Sequence, residues 1–423
     1  MKVFKFGGAS VSTADRIRNV ADILKKYRSE QLLVVISAMG KTTNALEKVV
    51  EAFYAGNKNL ALELFQGIKN DHLHMLYDLT NTYLVKEECD QLLIDFFTEV
   101  EWLLHDKPVR HFDYYYDQIV CVGELLSTTI VSRYLNLIGI SNECLDVRDI
   151  IRTDNNFRDA RINWPVTSEK VQYVIQPLLK QGKMVITQGF IGATDENEST
   201  TLGREGSDYT AAVFANLLDA EMQTIWKDVQ GVMNADPKQY KDAVWIEELN
   251  YREVIEMAYY GAQVIHPKTI KPLQNKGIPL FVRSFIDSEA EGTIIHNMHI
   301  AQLPPIIVYK HHQVLVQLTS KDYSFVGEGL SAFVYELFEK LKYKPNLTQN
   351  AAISLLCVLD DQPEKLEQFA FEASRAFDVT VTKDLTLLTV RHYHLDLLTQ
   401  LVDESKVVLR QQTPETVQVL TGL

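Results

Sequence analysis

The stretch Lys2-Val3-Phe4-Lys5-Phe6-Gly7-Gly8-Ala9-Ser10 opens the chain and carries the clearest indication of its fold. Its apolar residues are typical of a buried strand, and residues 15–24 have the apolar spacing of an amphipathic helix. A strand, a Gly-Gly turn and a helix N-terminus together present backbone N–H groups to an anion, with Lys5 as a positive charge beside them. An ordinary tight turn has the same pattern, so this stretch alone leaves both interpretations open.

The size and composition of the chain restrict its class. Its 423 residues exceed what one hydrophobic core normally serves, so two or three domains are expected. Hydrophobic residues make up 46% and charged residues 23%, as in soluble globular proteins. The formal net charge of −14 argues against a general binder of nucleic acid or anionic membranes, because both would be repelled. Anionic substrates would have to be attracted by a few local cations.

The cysteines and apolar runs favour a cytoplasmic protein. No CxxC pattern occurs, and the cysteines fall in separate apolar segments, as buried reduced thiols do: Cys89, Cys121, Cys144 and Cys357. Two His-x-His pairs, at residues 72/74 and 392/394, lack a third ligand, so no protein metal site is predicted. Met1 leads directly into a core strand, and no apolar run approaches membrane length, so neither a leader nor a membrane span is expected.

Strands and helices alternate along about the first 300 residues. Buried runs at residues 32–37, 183–187 and 223–226 are separated by helical patterns, which favours an open, mostly parallel sheet sandwiched by helices. Residues 58–110 are expected to form a helical insertion. The apolar pattern over residues 116–138 predicts one long helix.

A Pro-containing linker at residues 301–305 marks a change of pattern. Beyond it, short predicted strands, beginning with 306–309 and 314–318, bracket helices in two successive groups. Two small β-α-β-β units in tandem are the simplest description. We therefore expect an α/β domain over residues 1–300, followed by a binding or dimerisation region over residues 301–423.

Polar groups follow two further predicted elements. The stretch ISAMGKTTN at residues 36–44 closes a strand and opens a helix, so Ser37 and Thr43 lie where ligands of open α/β sheets bind. Thr43 is equally suited to cap that helix. Glu124 lies among apolar residues of its own helix. It faces either solvent or a cationic group of a ligand, and the sequence leaves both possible.

The stretch TLGREGSDYT at residues 201–210 is the strongest local signal. Two glycines flank Arg204, whose planar guanidinium suits a carboxylate, and the turn offers N–H donors to developing charge. Ser207 or Asp208 is predicted to cap the next helix. The loop WKDVQGV at residues 226–232, with ADPK after it, suits a purine and ribose, with Lys227 and Lys238 near phosphates.

In combination these motifs resemble the aspartate kinases (aspartokinases) of the amino-acid-kinase superfamily. KFGGAS, ISAMGKTTN, Gly123-Glu124, TLGREGSDYTAA, WKDVQGV and GAQVIHPKTI stand in the order found in that family. Residues 301–423 are similar to its tandem ACT modules, which are small ferredoxin-like α+β units. The resemblance implies an amino-acid-kinase fold and ATP-dependent phosphorylation of the L-aspartate β-carboxylate to 4-phospho-L-aspartate, the first step towards lysine, threonine, methionine and diaminopimelate.

The resemblance also implies roles for individual residues. Three are expected to be catalytic: Lys5, Arg204 and Asp208. Aspartate is expected to contact Ser37, Thr43, Glu124, Phe190, Arg204, Ser207 and Asp208, with Glu124 facing its ammonium group. ATP is expected to contact Lys5, Phe6, Gly7, Gly8, Ser10, Lys227, Asp228, Met233, Lys238 and Gln263. Mg²⁺ is expected to be held mainly by the ATP phosphates, and a homodimer is expected to form through the ACT-like region.

The chain departs from the family pattern at several positions. Gln263 stands where relatives often place a lysine, and Lys238 where many have arginine, which bears on ATP affinity and not on the reaction class. Glu205 replaces a small residue, and only its backbone is expected to matter. Asn346, Ala351 and Ala352 replace the acidic residue and the Ser-Glu pair of lysine-inhibited relatives, which predicts weak or absent feedback by lysine.

Two alternatives belong to different functional classes. One is a sister kinase of the same fold that acts on acetylglutamate, glutamate or a nucleoside monophosphate. The other is a non-catalytic amino-acid sensor that uses the C-terminal modules. Glu124 favours an acceptor with a free ammonium group, and the joint presence of Lys5, Arg204, Asp208 and Asp228 favours catalysis.

Overall fold

The computed structural model describes residues 1–422, and within that range the side chains of all residues except Lys86 and Glu328. The chain forms two compact units, each discontinuous in sequence. The first consists of residues 1–232, 245–255 and 264–300, and the second of residues 233–244, 256–263 and those from 301 onward. Strands and helices are numbered here in chain order.

An eight-stranded sheet forms the centre of the first unit. Its spatial order is β10 (Glu248–Asn250), β12 (Thr293–His296), β11 (Leu280–Ser284), β7 (Met222–Lys227), β1 (Lys2–Phe6), β2 (Leu32–Ile36), β4 (Met184–Gln188) and β3 (Asn142–Leu145). Neighbouring strands are parallel except β11 and β12, which are antiparallel. Strand β1 lies between β2 and β7 and is parallel to both, so the carboxyl ends of these three strands lie side by side at one edge of the sheet.

Helices precede and follow the strands along the chain. They are α1 (Ala14–Lys26), α2 (Thr42–Tyr54), α3 (Lys58–Thr80), α4 (Lys86–His105), α5 (Phe112–Val120), α6 (Val122–Leu137), α7 (Trp164–Lys170), α8 (Gln176–Lys180), α9 (Gly206–Leu217), α10 (Tyr251–Tyr260) and α11 (Pro267–Lys276). Four short strands complete this part: β5 (Ile191–Ala193), β6 (Ser199–Thr201), β8 (Val232–Met233) and β9 (Trp245–Ile246). None of the helices within residues 1–422 is both long and apolar enough to cross a membrane.

Local sequence explains why the helices form and where they pack. Thr13 begins α1, because its hydroxyl accepts a hydrogen bond from the Arg16 amide at 3.3 Å. Ile17, Val20 and Leu24 then form one apolar face, and all three are buried. Strand β2 is buried along its whole length, as expected for a parallel sheet that helices cover on both faces.

The long helix predicted over residues 116–138 is wrong, because the structure has two helices, α5 and α6, that meet at Cys121. The Glu124 amide donates to the Cys121 carbonyl at 3.2 Å, and this three-residue spacing tightens the chain there. A Cβ on Gly123 would lie 3.2 Å from the Cβ of Ala38, so the glycine lets α6 approach the end of β2 closely. The break thereby brings Glu124 to the carboxyl edge of the sheet.

A six-stranded sheet forms the second unit. Its order is β14 (Leu347–Asn350), β15 (Ser354–Asp360), β13 (Ile306–Ser320), β16 (Phe377–Arg391), β18 (Thr416–Gly422) and β17 (Val407–Gln412), and all neighbours are antiparallel. The accompanying helices are α12 (Glu328–Lys340), α13 (Pro363–Ala373) and α14 (Leu395–Leu401). The strands predicted at 306–309 and 314–318 are two parts of β13, with an irregular register between Lys310 and Gln313.

Candidate active site

A cavity of about 650 Å³ lies at the carboxyl edge of the central strands of the first unit. Ligands of open α/β sheets bind at this edge. Every residue predicted to contact aspartate lines the cavity, namely Ser37, Thr43, Glu124, Phe190, Arg204, Ser207 and Asp208. Lys5, Gly8 and Lys227, which were predicted to contact ATP, line it too. Lys5 and Arg204 therefore line the same cavity.

Gly8 allows two turns of this edge to touch. The Gly40 amide donates to the Gly8 carbonyl at 3.0 Å. A Cβ on Gly8 would lie 2.7 Å from the Ala38 carbonyl oxygen, so a larger residue would push the two turns apart. The turn after β1 is thus fixed against the turn after β2. Helix α2 begins at Thr42 with Lys41 before it, so Thr43 does not cap the helix, and its residue lines the cavity.

Lys5 and Asp208 form a buried ion pair in the cavity. The Lys5 Nζ lies 2.6 Å from Oδ1 of Asp208, and the two side chains are 11% and 5% exposed. Burial acts to raise the pKa of Asp208, but the charges of Lys5 and Lys227 and the hydrogen bond from Lys5 outweigh it. The pKa of Asp208 therefore lies below its usual value. Asp208 stays ionised and holds the lysine ammonium in place.

Glu124 presents an unsatisfied carboxyl oxygen inside the protein. The side chain is buried, with 3% of the residue exposed, so the solvent-facing alternative is wrong. Its Oε1 accepts a long hydrogen bond of 3.4 Å from the Ala38 amide, whereas Oε2 has no hydrogen-bond partner among the described residues. Burial raises the pKa of Glu124 to about 8, against a smaller lowering by the Ala38 hydrogen bond and the Lys5 charge. A cationic ligand group would satisfy this oxygen.

The 201–210 loop differs from its sequence prediction in two respects. Helix α9 begins at Gly206 after Glu205, whose φ is +53°, and no side chain caps it. The prediction that Ser207 or Asp208 caps the helix is therefore wrong, and both lie in its first turn. The Oε2 of Glu205 accepts a hydrogen bond from the His266 amide at 2.8 Å, so the prediction that only its backbone matters is also wrong.

Asp117 and Arg158 are two cavity-associated residues that sequence reasoning missed. Buried Asp117 accepts hydrogen bonds from the Thr201 amide at 2.8 Å, the Thr201 hydroxyl at 2.7 Å and the Arg158 amide at 3.0 Å. Burial raises the pKa of Asp117 to about 6, although these hydrogen bonds lower it. Arg158 and Thr201 both line the cavity. The sequence signal for Asp117 is an acidic residue inside the apolar pattern of residues 116–138. Glu124 stands out in the sequence for the same reason.

The remaining residues predicted to contact ATP are placed less directly. The Phe6 ring stacks on Trp226 with 5.8 Å between centroids, and the Ser10 hydroxyl donates to the Trp226 carbonyl at 3.4 Å, so both side chains serve the interior. Gly7 follows β1, and Asp228 is exposed after β7. The Lys227 Nζ donates to the Val264 carbonyl at 2.8 Å. Met233, Lys238 and Gln263 belong to the second unit, and their contacts with ATP stay predictions.

The donor set of the described residues bears on metal binding. Within residues 1–422 no group of three or more histidine, cysteine, aspartate or glutamate side chains is arranged to hold a metal ion. Asp208, the acidic residue closest to Lys5, is already paired with it. Binding of a magnesium ion mainly by nucleotide phosphates and water stays a prediction.

Known proteins resemble this chain in sequence along most of its length. The model of the "Amino acid kinase family" matches residues 1–284. "Lysine-sensitive aspartokinase 3" of Escherichia coli is 33% identical over 363 residues, which are 85% of this chain and 78% of that protein. "Aspartokinase 1, chloroplastic" of Arabidopsis thaliana is 33% identical over 377 residues, 86% of this chain and 64% of the relative.

Solved structures resemble it along the whole chain. E. coli aspartokinase III in complex with aspartate and ADP has a TM-score of 0.82 at 28% identity, covering 100% of this chain and 96% of that one. The aspartate kinase of Clostridium acetobutylicum, at 19% identity and a TM-score of 0.79, shares the fold. The family model covers most of the chain, and an aspartokinase matches it along most of both sequences. This chain therefore belongs to the aspartokinases of the amino acid kinase family.

Proposed function

We propose that this chain transfers the γ-phosphoryl group of ATP to the β-carboxylate of L-aspartate, and that the cavity of the first unit is the place of transfer. The observation that carries the proposal is the presence of Lys5, Arg204, Asp208 and Glu124 in one cavity. The nucleophile is an ionised carboxylate, so no general base is needed. Two anions must instead be aligned and their charges neutralised.

Glu124 is proposed to bind the ammonium group of aspartate. Its Oε2 is buried without a hydrogen-bond partner among the described residues, and the substrate ammonium would supply the missing donor. N-acetylglutamate has an amide in place of that ammonium and offers no positive charge to the carboxylate. This contrast supports a free amino acid over an acetylated one as the acceptor.

Arg204 and Ser207 are proposed to bind a substrate carboxylate. Arg204 stands in the turn before α9, and Ser207 lies in the first turn of that helix. The guanidinium offers a planar pair of donors that matches a carboxylate. The N-terminus of α9 adds N–H groups that favour negative charge. Ser37, Thr43 and Phe190 would complete the walls of this part of the cavity.

Lys5 is proposed to bind the phosphoryl group in transfer. Its ammonium is held by Asp208 at 2.6 Å and is therefore oriented before the substrates arrive. A preoriented positive charge stabilises the negative charge of the transition state without a cost of reorientation. Lys227 lies in the same cavity and would bind the nucleotide phosphates beside it. Mg²⁺ on those phosphates would supply further neutralisation of charge.

Assembly is a separate part of the proposal. We propose a homodimer that forms through the six-stranded sheet of the second unit, whose edge strands are β14 and β17. Edge strands carry N–H and C=O groups that are available for pairing with another chain. Light scattering on the full chain tests this proposal, and a molar mass equal to one chain at micromolar concentration contradicts it.

The reaction is tested by trapping the acyl phosphate with hydroxylamine. Purified protein is assayed with ATP, Mg²⁺ and one acid at a time: L-aspartate, L-glutamate or N-acetylglutamate. Hydroxamate formation with aspartate above the other acids is expected. A higher rate with another acid supports a sister kinase instead. No product with any acid contradicts the proposal and favours either the nucleoside monophosphate kinase or the amino-acid sensor.

The role of Lys5 is tested by the substitution Lys5→Ala. We expect kcat to fall about 10²–10³-fold, as when a charge-stabilising donor is removed from an active site. The matched control is Lys2→Ala on the same strand, because Lys2 pairs with Glu30 at 2.5 Å and does not line the cavity. Melting curves of both variants verify folding. Normal turnover by folded Lys5→Ala protein would overturn the mechanism.

A further inference from the structure

Arg158 is a cation of the cavity that the family resemblance did not single out. It lines the cavity with Lys5 and Arg204. Its φ is +68°, in the left-handed region where an L side chain is strained. Buried Asp117 holds this strained backbone, because its carboxylate accepts a hydrogen bond from the Arg158 amide at 3.0 Å. Residues kept in such strained conformations cluster at functional sites.

The Arg158 guanidinium rests on aromatic rings. Its central carbon lies 4.3 Å from the centroid of the Tyr116 ring and 5.7 Å from that of Phe112. The Tyr116 hydroxyl donates to Oε1 of Glu47 at 2.8 Å, which fixes the ring that supports the guanidinium. The attraction between a guanidinium and an aromatic ring does not use the N–H groups as hydrogen-bond donors to oxygen, so these groups stay available to a carboxylate.

The ion pair of Arg158 leaves its charge usable by a ligand. Its Nη1 lies 3.2 Å from Oδ1 of Asp113, and the two side chains are 46% and 55% exposed. A pair as solvated as this contributes little free energy, so a ligand carboxylate can compete for the same guanidinium. Arginine also has five donors in total, and one bond to Asp113 uses only a part of them.

We propose that Arg158 is a specificity-determining residue that binds, together with Arg204, the carboxylate of the acceptor that is not phosphorylated. The inference rests on the proposed function, because it assigns the second carboxylate of that acceptor. The reacting carboxylate must face Lys5, and the other needs its own neutralisation inside a cavity that already contains Glu124 and Asp208. Two arginines at this place would select an acceptor whose non-reacting carboxylate is free over one in which that carboxylate is an amide.

The test measures steady-state kinetics of the full chain with the substitution Arg158→Gly. Glycine adopts a φ of +68° without strain, so the variant is expected to fold. We expect the KM for aspartate to rise about tenfold, the amount for one lost charge-assisted contact at a half-exposed site. The kcat and the KM for ATP are expected to stay within about twofold. Arg158→Lys, which keeps the charge and loses the planar donors, is expected to lie between.

Arg110→Gly is the matched control. Arg110 also lies over a tyrosine ring, 3.9 Å from the centroid of Tyr114, and pairs with Glu198, but it does not line the cavity. The KM of the Arg110→Gly variant for aspartate is expected to equal that of the unaltered protein. An unchanged KM for aspartate in Arg158→Gly overturns the inference, and so does an equal rise in the control. A change confined to kcat or to the KM for ATP also overturns it. Failure of the unaltered protein to phosphorylate aspartate would instead refute the proposed function.

Discussion

Glu124 is a buried residue of the cavity whose protonation state depends on pH. Burial raises its pKa from an ordinary 4.5 to about 8, so the carboxyl group is protonated at neutral pH when the cavity holds no ligand. The unfolded chain loses this proton near its ordinary pKa, whereas the folded chain retains it until about pH 8. The free energy of unfolding therefore decreases as the pH rises through this window. The protein holds a destabilising group at the place where the substrate is proposed to bind.

Glu124→Gln should separate stability from activity. Above about pH 8 we expect the variant to be more stable than the unaltered protein by about 1–3 kcal/mol, because it no longer buries an ionised, unsatisfied oxygen. We also expect the KM for aspartate to rise about 10²-fold, because an amide cannot form an ion pair with the substrate ammonium. Denaturant unfolding at several pH values and steady-state kinetics provide the two measurements. A more stable variant with an unchanged KM would contradict the proposed ammonium site.

Aspartate binding should release a proton from Glu124. The free carboxyl group is protonated at pH 7, and a neighbouring ammonium lowers its pKa by favouring the ionised form. Calorimetric titration in two buffers with different ionisation enthalpies measures the release. We expect a release approaching one proton per site at pH 7, and affinity for aspartate that increases as the pH rises towards about 8. Glu124→Gln is the control and should release none, so an identical release from that variant would assign the proton elsewhere.

At the scale of elements, the site depends on two turns in contact at the end of the sheet. Gly8→Ala would place a Cβ 2.7 Å from the Ala38 carbonyl oxygen. We expect it to cost about 1–3 kcal/mol of stability and to lower kcat, because the turn that follows the strand of Lys5 must move. Gly67→Ala is the control: a Cβ there meets nothing within 4 Å, and it lies inside helix α3. That change should be neutral or stabilising by about 0.5–1 kcal/mol. Equal effects in chemical denaturation would show that the contact of the turns is unimportant.

The fold and the family were predictable because their signals are local. Buried runs separated by helical patterns predicted the mostly parallel sheet, and the motifs predicted an aspartokinase; both are confirmed. The break at Cys121 was not predictable, because it accompanies the packing of Gly123 on Ala38, far away in sequence. Arg158 was missed for the same reason: its place in the cavity depends on Asp117 and Tyr116, which are distant in sequence. The division at residue 301 and the roles of the site residues stay predictions.

At the scale of the whole molecule, the second unit contains a polar cluster around Asn346, the residue from which weak or absent lysine feedback was predicted. Asn346 accepts a hydrogen bond from the Lys310 Nζ at 2.7 Å and donates to Oε1 of Gln313 at 2.7 Å and to Oδ1 of Asp360 at 2.8 Å. Burial lowers the pKa of Lys310, with a smaller opposing effect of the Asp360 charge. The side chain of Asn346 is thus already engaged by an ammonium group of this chain.

Lysine should therefore be a weak inhibitor or none at all. Rates with aspartate and ATP are measured with and without millimolar lysine, and we expect less than about twofold inhibition because Asn346 offers no carboxylate to a second ammonium group. Lys310→Met removes the internal ammonium and serves as the comparison. Strong inhibition of the unaltered protein that Asn346 substitutions relieve would contradict this prediction.

The long strands β13 and β16 each run through both ACT-like halves of the six-stranded sheet. Residues 313–319 of β13 pair with β15 and contribute to one apolar cluster, whereas Ile307 of the same strand contributes to another beside α14. No single cut in the polypeptide can separate the two ACT-like halves with all their strands intact. They are expected to melt in one cooperative transition, and a fragment that ends between them would be left with an incomplete core.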